Sequence, residues 1–105
     1  MFHIKRNDTS PSISCSIDIG GTAVDLTGTD VKFIMRKEGA SAATVAAAAV
    51  VVSALGGIVR YDWQAADTAI AGLYAVEWEV TFSGGTKRTF PQDGYLYVNV
   101  LSDLA

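Results

Sequence analysis

Cysteine and histidine occur once each in 105 residues, as Cys15 and His3. A lone cysteine excludes an intrachain disulfide, so the core must hold by packing, and a reducing cytoplasm is the simplest setting for assembly. A lone histidine near the terminus would make any Ser-His-Asp arrangement depend on a frayed residue. One His, one Cys and dispersed Asp residues give no structural zinc spacing. Catalytic, metal and cofactor-binding residues are therefore expected to number none, and no cofactor is expected.

Charge is also sparse: 18% of residues are charged and the net charge is −3. The basic pairs Lys5-Arg6, Arg36-Lys37 and Lys87-Arg88 are scattered and read as solvated surface, so the basic stripe of a duplex-DNA binder is missing and no nucleic-acid partner is expected. The start, "MFHIKRNDTSP", has no apolar run like that of a signal peptide, and export by that route is not expected. From Gly39 to Val59 there is no charge at all, for about the length of a membrane span. That segment is mostly Ala, Gly and Ser, which lipid favours far less than Leu or Ile, so no membrane partner is expected either.

What is present is apolar and alternating. Half the residues are hydrophobic, typical of a compact β-rich chain, and the length suits one domain over residues 1–105. In "SISCSIDI", Ile13, Cys15, Ile17 and Ile19 share a face. Val31, Phe33 and Met35 do so in "DVKFIMRKE", and Val59, Tyr61 and Trp63 in "GIVRYDW". In "GLYAVEWEVTF" the apolar face is Tyr74, Val76, Trp78, Val80 and Phe82. Each is a strand with one buried face. "SGG" at Ser83–Gly85 supplies a tight hairpin turn, "TKRTF" returns beside the preceding strand, and "YLYVNVL" is the last strand.

"AATVAAAAVVVSAL" carries conflicting signals, since alanine favours helix and Val50-Val51-Val52 favour strand. Ala47 to Ala54 is expected to be a strand that Gly56-Gly57 turn into the next. "DIGGTAVD" and "SGGTKRT" lack the spacing and the following helix of a phosphate loop, and both glycine pairs are read as turns.

Glu77 and Glu79 point away from the apolar face, roughly 6.5 to 7 Å apart by strand rise, a separation that overlaps that of paired carboxylates in glycoside hydrolases. An acid/base pair also needs a cleft that raises one pKa. The shared face offers Leu73, Ala75 and Thr81 and no predicted aromatic platform. A solvated or interface face is the expectation.

Asp67, Gly72 and Tyr74 stand in the order of the corner before the sixth strand of immunoglobulin-like sandwiches, where a tyrosine hydroxyl returns to backbone a few residues upstream. The stretches "FHIKRNDTSPSI", "VDLTGTDVKFIMR" and "GIVRYDWQAADTAIAGLYAVEWEVTFSGGTKRTFP" resemble the N-terminal domain of phage baseplate upper proteins. The shared pattern is a K-x-x-D-T-x-P start, a D-L-T-G turn before a strand ending F-x-x-R, and a Y-x-W…D-T-x-x-x-G-x-Y-x-x-E-x-E-V block ending T-F-P. It covers nearly the whole chain, which departs from the larger members in stopping after "YVNVLSDLA", without a helical linker.

The resemblance implies an all-β fold, an immunoglobulin-like β-sandwich of about seven to nine antiparallel strands. It also implies a non-enzymatic structural protein of a tailed-phage virion, assembled in the host cytoplasm. Its place would be the tail, baseplate or neck, where it would serve as an attachment adaptor for fibre or receptor-binding proteins. The expected partners are other virion proteins and further copies of itself. The alternatives are a capsid decoration protein and a module that binds host-surface carbohydrate through exposed Tyr or Trp, with an enzyme third.

Overall fold

The computed structural model describes residues 1–104, and among these the chain is all-β, with eleven strands, one 3-10 turn at Ala65–Thr68 and no α-helix. The larger sheet runs in the order β1 (Phe2–Lys5), β11 (Leu96–Leu101), β9 (Gly72–Thr81), β5 (Asp30–Lys37), β6 (Val45–Ala48). The short β10 (Lys87–Phe90) also pairs with β9. The smaller sheet runs β2 (Ile13–Ser16), β8 (Ile58–Tyr61), β7 (Val50–Ser53), and a separate hairpin joins β3 (Asp18–Ile19) to β4 (Thr22–Ala23).

β9 organises the larger sheet. β5 lies antiparallel along one edge of it from Asp30↔Thr81 to Lys37↔Tyr74. β10 and β11 share the other edge, β10 opposite Trp78–Thr81 and β11 opposite Gly72–Val76. Between them, opposite Glu77, residues 91–95 leave the ladder. The hairpin turn is as expected: Phe82 and Gly85 close it with backbone bonds of 2.8 Å, and Gly85 has φ +88°.

The alternating faces meet in one cluster. Val31, Phe33, Met35, Tyr74, Val76, Trp78 and Val80 of the larger sheet pack with Ile13, Val59 and Tyr61 of the smaller and with Trp63 just beyond β8. Phe33 is central: it stacks on Tyr61 at 4.5 Å and meets Trp63 and Trp78 edge-on at 5.7 and 4.9 Å. Such aromatic pairs add to the stabilisation from burial and draw both sheets onto one core, an arrangement compatible with a β-sandwich.

The structure departs from expectation at several points. There are eleven strands rather than seven to nine, because the alanine-valine run and "SISCSIDI" are each interrupted, the latter at Ile17, and the Gly20-Gly21 turn makes a hairpin of two-residue strands. One pairing, β1 with β11, is parallel. Ala47 to Ala54 is not one strand. Ala49 N–H still donates to the Val31 carbonyl at 2.8 Å in the larger sheet, while Val50 already pairs with Arg60 in the smaller, so the chain changes sheets within one residue. Helix propensity loses here because neighbouring strands supply backbone partners and pack Val45 and Val51 against the core. Ile19, expected on the buried face, is exposed, since its hairpin stands outside both sheets. Cys15, expected in the core, is half-buried and packs against its rim, because β2 is an outer strand.

Gly57, in the turn from β7 to β8, is required by both conformation and space. Its φ is +67°, and a Cβ there would lie 2.5 Å from the Ile17 carbonyl oxygen. Its own carbonyl accepts from Ile17 N–H at 2.7 Å.

Candidate functional site

Glu77 and Glu79 project from β9 on the outer face of the larger sheet and are half-buried rather than fully wet. Their surroundings separate them. Glu77 lines a shallow depression of about 140 Å³ with Ile34, Arg36, Ala75 and Tyr95. Glu79 lines a broader one of about 460 Å³ with Asp30, Lys32, Ala48 and Lys87, and its Oε1 is 3.9 Å from Lys87 Nζ. Lys32 sits directly across the ladder from Glu79. Each carboxylate thus has its own cationic neighbours, and the two do not converge on one cleft as an acid/base pair would need.

Tyr95 is the residue that sequence reasoning missed. It is far from Glu77 in the chain, and it arrives because residues 91–95 swing out opposite Glu77. Tyr97 follows on the same face, across from Ala75, which in turn lies across from Arg36. Tyr95 and Tyr97 are 45% and 37% exposed, so the face expected to lack aromatics carries two accessible rings beside Arg36 and Glu77. "YLYVNVL" does hold the signal for Tyr97, whose parity opposes Val98 and Val100.

The remaining candidates lie apart. His3 pairs with Asn99 in the larger sheet and Cys15 with Val59 in the smaller. Burial, and then the negative charge of Asp18, push the Cys15 thiol above its ordinary range, which disfavours the thiolate that nucleophilic chemistry uses. Among the described residues no group of three or more His, Cys, Asp and Glu is placed to hold a metal ion. No helix among them is long and apolar enough to cross a membrane.

The proposed corner is built as its sequence suggested. Tyr74 Oη donates to the Ile70 carbonyl at 2.6 Å. Just upstream, Asp67 accepts from Tyr61 Oη at 2.6 Å and from Gln64 N–H at 2.8 Å. Thr68 donates through Oγ1 to the Asp8 carbonyl at 2.9 Å and accepts from Asn7 N–H at 3.0 Å. The segment therefore fastens β8, β9 and the chain after β1 at one point.

Edges complete the surface. β1 and β6 end the larger sheet, and β2 and β7 end the smaller. Both β6 and β7 come from the stretch between Glu38 and Arg60, which has no charged residue. Exposed Val50, Val52 and Leu55 lie on β7 and the turn that follows it. Neither a protein-family model nor a curated protein matches this chain.

Proposed function

We propose that the chain is an immunoglobulin-like assembly module of a tailed-phage virion, acting without catalysis as an attachment adaptor in the tail, baseplate or neck. The observation that carries the fold reading is strand order. Sheets β2-β8-β7 and β11-β9-β5-β6 follow the B-E-D and G-F-C-C′ arrangement of immunoglobulin domains, with the tyrosine corner at the start of the strand that corresponds to F. Fold alone does not choose a function. The virion setting rests on the resemblance to baseplate upper proteins, and is supported by a surface of open strand edges with its carboxylates dispersed among cations. A capsid decoration role uses the same surface at another place in the particle. Immunogold labelling of intact particles with an antibody against this chain tests the reading: label at the tail or neck is expected. Label over the capsid moves the assignment to decoration, and absence of the chain from purified particles removes the virion reading.

A second reading, a carbohydrate-binding module, is favoured by Tyr95 and Tyr97 beside Arg36 and Glu77. Aromatic faces stack on sugar rings while charged groups take the hydroxyls. A glycan array gives its test: binding that Tyr95→Ala abolishes would support it, and an array without signal would end it.

A further inference from the structure

We infer that the β6 edge is a self-association site, at which a second copy of this chain adds antiparallel and joins the two larger sheets into one. The inference goes beyond the virion reading and does not depend on it.

Backbone geometry identifies the open groups. The bond from Ala49 N–H to the opposed Val31 carbonyl makes that pair a hydrogen-bonded one. Such pairs alternate in an antiparallel ladder, so Phe33↔Ala47 is hydrogen-bonded and the intervening Lys32↔Ala48 and Ile34↔Ala46 pairs are not. Ala46 and Ala48 therefore turn their N–H and C=O groups outward. Two copies related by a two-fold axis at Ala47 bring Ala46 of each opposite Ala48 of the other, and four backbone hydrogen bonds complete the junction.

Electrostatics and side-chain size select a second copy as the occupant. No charge lies between Glu38 and Arg60, so a copy brings no like charge against this edge. At β1 a copy would set Lys5 and Arg6 against their equivalents. Natural edges are usually guarded by lysine, proline or a cover, and β6 has none of these. Ala46 and Ala48 are exposed and offer only methyl groups. They do not hinder an approaching strand and carry no functional group of their own by which to choose a foreign sequence. An identical edge is complementary by symmetry.

Sedimentation of the intact chain from about 10 µM to about 1 mM tests the inference, since so short a junction implies a dissociation constant on the order of 0.1 to 1 mM. A monomer–dimer equilibrium is expected, with hydrogen-exchange protection of the Ala46 and Ala48 amides rising with concentration. The double variant Ala46→Lys/Ala48→Lys opposes lysines across the dyad and should weaken association at least about tenfold. His3→Lys on the β1 edge should leave it unchanged. A wild-type chain that stays monomeric at the top concentration overturns the inference, as does a double variant that dimerises like wild type. Protection of Ala46 and Ala48 that arises only inside a particle, with none in solution, assigns the edge to another protein and also overturns it.

Discussion

One lateral side of the molecule ends in β1 and the other in β6 and β7, and charged side chains fasten only the first. On the β1 side Arg6 pairs with Asp103 at 3.3 Å, Arg6 N–H donates to the Leu101 carbonyl at 2.7 Å, and Thr68 holds Asp8. His3, Lys5 and Arg6 also place charge or polarity along that margin. On the other side the strands change sheets at Ala49 and rely on backbone pairing, buried Val45, half-buried Ala47, Ala49 and Val51, the bond from Gly56 N–H to Ser53 Oγ at 3.0 Å, and the Gly57 turn. A polar margin discourages strand addition, whereas the uncharged one leaves it open. The two margins therefore differ in what they admit, through the direction of their pairing and through a few charged side chains.

The strongest challenge to this contrast is a lesion in the core that both sides share. Trp78→Ala removes a fully buried ring that meets Phe33 at 4.9 Å and should cost about 3 to 5 kcal/mol. Hydrogen exchange should then rise on both sides alike in urea-titrated samples. A loss confined to one side would mean that the sides have separate cores.

Gly57→Ala acts first on the uncharged side, at the turn from β7 to β8, and on the Ile17 backbone beside it. With a positive φ and the Ile17 carbonyl in the way, the cost should be about 2 kcal/mol, with loosening of β7 before β1. A urea midpoint equal to that of wild type would refute the claim that this side depends on its turn.

Tyr74→Phe probes the secured side. Losing the hydrogen bond to Ile70 should cost about 1 kcal/mol and expose the Asn7 and Asp8 amides more than those of β6. The same tyrosines give a pH dependence. Burial raises the pKa of Tyr74, and burial followed by the hydrogen bond to Asp67 and its charge raises that of Tyr61. The folded chain keeps those protons after the unfolded chain has released them. Stability should therefore be level up to about pH 10 and fall above it, and Tyr61→Phe should flatten the fall. A wild-type stability curve that stays level through about pH 11 contradicts this.

The smallest effect is expected where neither side is involved. Glu77→Gln with Glu79→Gln removes two carboxylates from the outer face, including the half-buried partner of exposed Lys87. Unfolding free energy should change by about 0.5 kcal/mol or less. A larger loss would make the charge ladder part of what holds β5 to β9.

Period-two alternation alone placed Phe33, Met35, Val59, Tyr61, Tyr74, Val76, Trp78 and Val80 in the core, because burying one face of a strand is a local demand that each segment states for itself. The glycine pairs located their turns for the same reason, and the order Asp67, Gly72, Tyr74 announced the corner. Only tertiary structure decided where the alanine run divides, since alanine fits either face and states no preference until two sheets compete for its backbone. It also decided that Ile19 is exposed and that β1 pairs parallel with β11. The approach of Tyr95 to Glu77 depends on a gap between two strands sharing one edge, and that gap follows from pairing between segments distant in the chain.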